Sequence, residues 1–292
     1  MQAKLLEGGP VAEAILRDVR QRVSALSQRR RPIGLATVLV GSDRASAGYV
    51  RKKHEACEAV GMVSHHHHVP EGATQAELLE VVDRLNRDAA VDGYLVQHPV
   101  PPGFDLNQAL LSMDPDKDAD GLHPVNLGRL VLQEPGPIPA TPAGIRAMLL
   151  HYGVDISGRR VVIVGRGPTL GRPLSLLLSA KQPGGNAAVT VVHSAVPDLS
   201  DYTRQADVVI AAVGKPGIVV PDMLRPGAVV INGGISWKGR KLLPDVAESC
   251  AERASWITPR LGGVGVTTVA MLLRNAVALA ERRVDSDDLR AG

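Results

Sequence analysis

Short apolar runs alternate with amphipathic stretches along most of the chain, and this alternation predicts the fold. The apolar runs, each predicted to form a strand, are 34–40, 93–96, 161–164, 189–192, 207–214 and 227–235, with a more polar strand at 63–69. The helices predicted from apolar residues at helical spacing are 11–26, 45–60, 74–86, 105–113, 142–152, 172–179, 200–205 and 266–283. Apolar strands that alternate with helices are typical of a parallel sheet covered on both faces. The pattern therefore predicts an α/β fold with a doubly wound parallel sheet in the second half of the chain.

Proline, glycine and capping residues mark where these elements begin and end. Thr74, with Glu77 three residues later, predicts a capping box at the start of one helix. The segment 133–142, QEPGPIPATP, holds four prolines and predicts a linker. The chain of 292 residues is long enough for two domains, so we expect a domain boundary at this linker.

Composition disfavours several classes of protein. Aromatic residues make up only 2% of the chain and the net charge is +3, with Lys and Arg dispersed, which disfavours a nucleic-acid partner. Cys57 and Cys250 lie far apart and in no metal-binding spacing, as is typical of a reduced protein. The N-terminus is too polar for a signal peptide and no apolar run approaches a membrane span. We therefore expect a cytoplasmic protein without a membrane partner, whose mild positive charge suits small anionic ligands.

The segment 161–173, VVIVGRGPTLGRP, joins a predicted buried strand to a predicted helix through three glycines. Gly165, Gly167 and Gly171 have GxGxxxG spacing, one residue longer than the common dinucleotide fingerprint. Glycine lets the backbone turn tightly beside a pyrophosphate, and a helix N-terminus supplies free N–H groups. A tight turn without a ligand is the alternative for the loop alone, but its strand–helix context favours a dinucleotide cofactor.

The next predicted strand bears on which dinucleotide this would be. It ends at Val192 and is followed by His193 and Ser194, where a cofactor with a free ribose 2′-hydroxyl usually meets Asp or Glu. Arg166 and Ser194 could instead hydrogen-bond a 2′-phosphate. The sequence therefore favours NADP over NAD.

Two polar segments raise the question of a metal site. The His65–His68 run lies on a predicted strand, where adjacent residues point to opposite faces, so only alternate histidines could share an ion. A polar strand is the preferred interpretation. The loop 114–121, DPDKDADG, has DxDxD spacing but lacks the glutamate of an EF-hand. Capping carboxylates or a substrate-binding carboxylate explain this loop better, and no metal is expected.

Several pieces, in the right order and spread over nearly the whole chain, match one known family. They are VGSDRASAGYVRKK at 40–53, GYLVQHPVP at 93–101, DPDKDADGLHPVNLGRL at 114–130, TPAG at 141–144, GRGPTLGRP at 165–173, AAVGKP at 211–216, GAVVINGGI at 227–235 and GGVGVTT at 262–268. Together they resemble the methylenetetrahydrofolate dehydrogenase/cyclohydrolase (FolD-type) family. The resemblance implies a homodimeric enzyme that oxidises 5,10-methylenetetrahydrofolate with NADP⁺ and hydrolyses the methenyl product to 10-formyltetrahydrofolate.

The resemblance also implies a domain arrangement. Residues 1–138, together with the final helix at 266–283, would form the folate domain. Residues 139–265 would form a Rossmann-type NADP domain, and the active site would lie in the cleft between the two.

Particular residues take roles from the same resemblance. Tyr49 and Lys53 fall on YxxxK positions, where the Tyr stacks on the aminobenzoyl ring and the Lys is the chief catalytic residue of hydrolysis. Spaced four residues apart on one helix, they share a face, and partial desolvation beside Lys52 should lower the pKa of Lys53. Gln97 would hydrogen-bond and tune that lysine, and Asp120 would bind the pterin. The further folate contacts expected are Val100, Gly262, Gly263 and Val266. The expected cofactor contacts are Gly165, Arg166, Gly167, Gly171, Arg172, Pro173, His193, Ser194, Val213, Gly214 and Ile235.

The chain departs from the family pattern around this catalytic set. The replaced positions are His98 (for Leu), Ala140 (for Cys), Gly167 (for Ser), Asn232 (for Asp), Gly233 (for Val), Leu261 (for Pro), Val266 (for Pro) and Thr267 (for Met). One alternative is therefore a diverged paralogue that acts on a modified folate or retains one of the two activities. Another is a catalytically silent binding protein of the same fold, against which the intact catalytic set argues.

Overall fold

The computed structural model of the protein describes residues 3–28, 31–239 and 241–291. The helices are α1 Gly8–Ser27, α2 Arg44–Ala59, α3 Gln75–Arg87, α4 Leu106–Ser112, α5 Pro124–Leu132, α6 Ala140–His151, α7 Gly171–Ser179, α8 Ser200–Thr203 and α9 Val264–Ala291. The strands are β1 Lys4–Leu5, β2 Gly34–Val40, β3 Val63–Val69, β4 Gly93–Val96, β5 Arg160–Val164, β6 Ala188–Val192, β7 Val208–Ala211, β8 Val229–Asn232, β9 Ile235–Lys238, β10 Lys241–Pro244 and β11 Trp256–Ile257. The α/β class predicted from the sequence is confirmed.

The described residues form two compact units. The first comprises the chain up to Ala12 together with Thr141–Thr268. The second comprises Glu13–Ala140 together with the chain from Val269 on. Helices α1 and α9 therefore each contribute residues to both units.

The first unit is built on a parallel sheet with the strand order β1-β11-β8-β7-β5-β6. Every residue of β7 and β8 is buried, because these strands consist largely of Val and Ile covered on both faces. The predicted doubly wound, Rossmann-type sheet is present. Two further features were not predicted: the two-residue strands β1 and β11, which extend the sheet at one edge, and the antiparallel hairpin of β9 and β10.

A small aromatic cluster lies beside the β1–β11 edge of this sheet. The ring of Trp256 packs against that of Tyr152 with centroids 5.4 Å apart, and Lys4 Nζ lies 5.2 Å from the Trp256 ring centroid. The hydroxyl of Tyr152 donates to the backbone oxygen of Glu7 over 2.9 Å. These contacts attach the start of the chain to the first unit.

The second unit is built on a smaller parallel sheet with the order β3-β2-β4. Its strands have the bounds predicted from the sequence, and β2 and β4 are buried throughout. The edge strand β3 is largely accessible, as its run of histidines suggests. The capping box of Thr74 and Glu77 is confirmed, since the side chain of each residue bonds the backbone N–H of the other.

Helix α9 returns to the second unit after its first residues, as predicted. Asn275 Nδ2 donates to the backbone oxygens of Ala119 and Ile138, and Arg22 of α1 pairs with Glu281. The helix continues to Ala291, beyond the predicted end at residue 283.

By length and composition alone, Val264–Asp285 of α9 would suffice to cross a membrane, contrary to the sequence expectation. However, 61% of its most apolar window is buried inside the protein, which is typical of a core helix.

Candidate functional site

Lys53 is held in the second unit by a glutamine from the adjoining sheet. It lies on α2 with only 8% of its surface exposed, and its Nζ donates to Oε1 of Gln97 over 2.9 Å. Gln97 directly follows β4, and its Nε2 donates to the backbone oxygen of His98 over 2.7 Å. Because both ends of the Gln97 amide are engaged, its oxygen is fixed toward the lysine. The structure thus brings together the two residues that the sequence pairs.

Burial makes Lys53 a weaker base than an exposed lysine. Loss of solvation lowers the pKa of its ammonium group, while the carboxylate of Asp120 acts in the opposite direction. The sequence led us to expect that Lys52 would also lower this pKa, but Lys52 is not among the causes of the shift. It is exposed on the same helix, with its Nζ 5.9 Å from the centroid of the Tyr49 ring. A lowered pKa makes the neutral amine more accessible than in an exposed lysine, which suits general-base chemistry.

Tyr49 and Val100 lie in the same unit as Lys53. Tyr49 is one turn earlier on α2 and half-buried, and burial raises the pKa of its phenol, so the ring remains neutral. Val100 is half-buried and packs against the apolar core of this unit. Each therefore presents an uncharged surface suited to an apolar part of a ligand.

Asp120 lies on a loop whose shape is set by another carboxylate, Asp118. Asp118 is fully buried and accepts hydrogen bonds from the backbone N–H groups of Gly121 and His123 and from Nδ2 of Asn126. Asp120 itself keeps 21% of its side-chain surface exposed, and its Oδ2 lies 4.0 Å from Nε2 of His98. The sequence expectation singled out Asp120 alone, and the buried carboxylate that holds its loop was missed because both read as members of one acidic run.

In the glycine loop of the first unit, the backbone geometry requires glycine at two positions but not at the third. Gly165 has φ +121°, and a Cβ there would lie 2.3 Å from the backbone oxygen of Ala212. A Cβ on Gly171, the first residue of α7, would lie 2.2 Å from the backbone oxygen of Gly165. Neither site admits a side chain. A Cβ on Gly167, in contrast, would meet no atom within 4 Å.

A cavity of about 610 Å³ opens beside this loop. Of the expected cofactor contacts, those that line it are Gly165, Arg166, Gly167, His193, Ser194 and Val213. Two charged lining residues, Lys215 and Asp198, were not singled out from the sequence. Asp198 lies five residues beyond His193, which directly follows β6, and its Oδ1 accepts from the N–H of Ser200 over 2.8 Å.

The remaining expected cofactor contacts lie on elements beside the cavity rather than in its lining. Arg172 is exposed on the first turn of α7, and Pro173 is buried in the same helix. Gly214 and Ile235 lie near each other, since Ser236, which follows Ile235 on β9, donates to the backbone oxygen of Gly214 over 2.5 Å.

Asp245 supports the backbone beside Val213, a role that its position after β10 does not reveal in the sequence. Its Oδ2 accepts from the N–H groups of Val213 and Gly214 over 2.8 and 2.9 Å. Its carboxyl is fully buried, and burial raises its pKa despite these bonds. The carboxylate therefore fixes the loop that forms one wall of the cavity.

The glycine pair expected to contact folate belongs to the first unit. The N–H of Gly8 donates to the backbone oxygen of Gly262 over 2.7 Å, and a Cβ on Gly263 would lie 2.9 Å from the backbone oxygen of Pro259. Val266 and Leu261 are exposed at the start of α9 and just before it.

The two segments considered for metal binding have other roles. Adjacent histidines of β3 have different neighbours. His66 packs edge-on against His54 with ring centroids 5.4 Å apart. Burial lowers the pKa of His67, Arg84 of α3 lowers it further, and Asp88 at the end of α3 acts in the opposite direction. In the acidic loop, Asp114 accepts from the N–H of Asp116 and so caps a short 3-10 turn. Within the described ranges, no group of three or more His, Cys, Asp or Glu side chains could hold a metal ion.

Sequence comparison decides the family. A family model described as the tetrahydrofolate dehydrogenase/cyclohydrolase catalytic domain matches residues 6–120, and one for the NAD(P)-binding domain of the same family matches residues 139–284. The chain belongs to the tetrahydrofolate dehydrogenase/cyclohydrolase family. The resemblance read from the sequence motifs is therefore confirmed.

Relatives within the tetrahydrofolate dehydrogenase/cyclohydrolase family match over nearly their whole length. The bifunctional protein FolD of Syntrophotalea carbinolica is 64% identical over 283 residues, covering 97% of this chain and 98% of the relative. Among solved structures, the bifunctional FolD enzyme of Campylobacter jejuni is 38% identical, with a TM-score of 0.91 over 96% of this chain and 99% of that chain. The Trypanosoma brucei FolD, solved with NADP cofactor and an inhibitor, is also 38% identical, with a TM-score of 0.91 over 97% and 99%.

Some departures from the family pattern are explained by contacts within the first unit. A Cβ on Gly233 would lie 2.8 Å from Cδ2 of Leu170, so the glycine leaves room for this leucine side chain. Asn232, which takes the place of an aspartate, makes a structural bond, since its Oδ1 accepts from the N–H of Val246 over 3.0 Å. Both residues therefore fit their surroundings in this chain.

Proposed function

We propose that this protein is a bifunctional one-carbon folate enzyme. It oxidises 5,10-methylenetetrahydrofolate to the methenyl cation with NADP⁺ and hydrolyses that cation to 10-formyltetrahydrofolate. The observation that carries the proposal is the buried Lys53, bound to Gln97 in the same unit as Asp120. The amine of Lys53 is bonded to a side-chain amide and lies near the carboxylate of Asp120, an arrangement that favours proton exchange with a ligand over a purely structural role.

Lys53 acts as the general base of the hydrolysis. Its neutral amine takes a proton from water as the water oxygen bonds to the methenyl carbon. The bond from that carbon to N5 then breaks, the added hydroxyl loses its proton as the formyl C=O forms, and N5 gains a proton. The reaction releases one proton overall. Gln97 keeps the amine oriented through the 2.9 Å bond, which leaves the nitrogen lone pair free to face the water.

Asp120 and Tyr49 bind the substrate. A pterin presents a guanidine-like edge, and the partly exposed carboxylate of Asp120 can accept two hydrogen bonds from it, as carboxylates do from arginine. The neutral, half-buried ring of Tyr49 offers a stacking face to the aminobenzoyl group. Asp118 keeps the loop of Asp120 in place.

The first unit fits a phosphorylated dinucleotide. Gly165 and Gly171 allow the tight turn that leads into α7, and the N-terminus of that helix can bind a pyrophosphate. Arg166, Ser194 and Lys215 line the cavity and can bind a 2′-phosphate, whereas Asp198 is engaged with the N–H of Ser200. When bound, NADP⁺ accepts the hydride of the oxidation.

The proposal extends to assembly and location. We propose a cytoplasmic homodimer, as the family resemblance implies. The edge strand β3 supports an interface between two copies, since the edge of a sheet can pair with a strand of another chain. Sedimentation of the purified protein tests the assembly, and a monomer at micromolar concentration would contradict it.

Replacement of Lys53 by Met tests the proposed function. The variant should lose at least about 100-fold in the rate of methenyltetrahydrofolate hydrolysis, because general-base catalysis contributes that much or more. Reduction of NADP⁺ should persist, since hydride transfer requires no proton at Lys53. Lys52→Met, on the exposed face of the same helix, is the matched control and should hydrolyse within a few-fold of the wild-type rate.

The outcomes separate the candidates. The proposal would be contradicted if the wild-type protein neither reduced NADP⁺ with methylenetetrahydrofolate nor hydrolysed methenyltetrahydrofolate. Unchanged hydrolysis in Lys53→Met would show that another group is the base.

A further inference from the structure

One ionisable side chain beside Lys53 and Asp120 has no part in the proposed mechanism. His98 directly follows Gln97, its side chain is 26% exposed, and its Nε2 lies 4.0 Å from Oδ2 of Asp120. The family pattern has leucine at this position. In this chain an ionisable imidazole therefore replaces an apolar side chain, which could make only packing contacts with its neighbours.

The surroundings of His98 give its protonation a direct effect on Asp120. The titratable groups that face it are Asp120, from the loop before α5, and Lys53, from α2. Burial lowers the pKa of His98, Lys53 lowers it further, and Asp120 acts against both. The imidazole is therefore neutral at physiological pH and becomes charged only on acidification.

We propose that His98 is a positioning residue that controls how freely Asp120 can bind the pterin. The inference rests on the proposed function, because it assigns Asp120 to the pterin. Neutral His98 leaves both carboxylate oxygens available to the substrate. Protonated His98 forms an ion pair with the nearer oxygen, Oδ2, and competes with the pterin for it.

This competition predicts a pH dependence that falls on KM rather than on kcat. Protonation of His98 costs the pterin about one charge-assisted hydrogen bond, which corresponds to roughly a tenfold loss of affinity. The loss should develop as the pH falls through the pKa of His98. Protonation of Lys53 on acidification instead reduces kcat, so the two effects are separable.

Kinetics of methenyltetrahydrofolate hydrolysis between pH 5 and pH 8.5 test the proposal. In the wild-type enzyme KM should rise about tenfold toward the acid end, whereas His98→Leu, the family residue, should keep KM within about twofold. His98→Gln, which keeps a polar side chain without titrating, should behave like His98→Leu. The matched control His151→Leu, an exposed histidine of the first unit, should keep the wild-type profile. The same KM profile in wild type and both His98 variants would overturn the proposal.

A second measurement is independent of catalysis. NMR titration of the His98 ring in the full-length protein should give a lower pKa in Asp120→Asn than in the wild type, because the carboxylate that favours the imidazolium is gone. An unchanged His98 titration would overturn the proposal even if His98→Leu failed to fold. Absence of hydrolysis at every pH, together with the expected titration shift, would refute the proposed function and leave the pairing of His98 with Asp120 intact.

Discussion

Lys53 and Lys117 are both buried in the second unit, and their partners give them different roles. Lys117 Nζ donates to the backbone oxygens of Leu85 and Asp88, each over 2.7 Å, so its hydrogen bonds are made to the protein scaffold. Lys53 has a side-chain amide as its partner and lies near the carboxylate of Asp120. Burial lowers the pKa of both, but only Lys53 is arranged to exchange a proton with a ligand.

Gly167 provides a prediction about cofactor affinity. The family pattern has serine here, and a Cβ would meet no atom within 4 Å, so Gly167→Ser can be accommodated. The hydroxyl would point into a cavity lined by Arg166 and Ser194 and add about one hydrogen bond, worth about 0.5–1.5 kcal/mol. We expect the Kd of NADP⁺ to fall about two- to tenfold, as measured by isothermal titration calorimetry.

Gly165→Ala is the control for this change. The added methyl group would collide with the backbone oxygen of Ala212, so binding should weaken. A Gly167→Ser variant that binds no tighter than wild type would mean that bound phosphate lies elsewhere in the cavity.

At the residue scale, sequence reasoning could find the candidate catalytic side chains but not the carboxylates that hold the neighbouring loops. Lys53 and Gln97 stand in recognisable motifs, and the structure joins them by a hydrogen bond. Asp118 binds backbone N–H groups of its own loop, whereas Asp245 binds those of a loop about thirty residues earlier, which becomes its neighbour only on folding. Nothing in the local sequence distinguishes such a carboxylate from an exposed one.

Among the elements, those with strong local signals were predicted and those defined by their partners were not. Strands β2 and β4 are apolar runs bounded by polar or turn residues, and their bounds match the prediction. The two-residue strands β1 and β11 exist only through pairing across the sheet, so the local pattern does not show them. Helix α5 was also missed: it begins at a proline, contains Gly128 and falls within a motif interpreted for its chemistry.

The turn from β5 into α7 packs against the end of β8, and this contact gives a prediction about stability. Gly233→Ala would place a methyl group 2.8 Å from Cδ2 of Leu170 and 3.1 Å from the backbone oxygen of Ala211. Overpacking of this kind costs about 1–3 kcal/mol of unfolding free energy. Leu170→Val removes the Cδ atoms, so in that background the cost should fall by about half.

Urea unfolding of the wild type, both single variants and the double variant measures this coupling. Strict additivity of the two changes would show that Leu170 does not limit the space above Gly233. Gly153→Ala would be a poor control because Gly153 has φ +64°. Gly9→Ala meets no atom within 4 Å, and on helix α1 it should raise stability, by at most about 1 kcal/mol.

At the scale of the whole molecule, buried ionisable groups make stability depend on pH. Burial lowers the pKa of Lys117 to about 8 from 10.5. Between these values the folded protein releases the Lys117 proton while the unfolded chain retains it. The unfolded state then binds more protons, so the contribution of Lys117 to the free energy of unfolding increases as the pH rises through this window.

Lys117→Met isolates that contribution. Relative to the variant, the wild type should gain unfolding free energy between about pH 8 and pH 10, with a slope of at most about 1.4 kcal/mol per pH unit. Urea unfolding followed by circular dichroism at several pH values gives the difference. Curves for the two proteins that remain parallel from pH 7 to pH 10 would show that Lys117 titrates normally.

The location of the aromatic cluster has a consequence for spectroscopy. Both tryptophans of the chain, Trp237 and Trp256, belong to the first unit, and Trp256 packs against Tyr152. Intrinsic tryptophan emission is therefore a built-in reporter for that unit, whereas far-ultraviolet dichroism sees the helices of both. Superimposable melting curves from the two signals would mean that the protein unfolds in one cooperative transition. Separated curves would show that the first unit melts at a different temperature from the second.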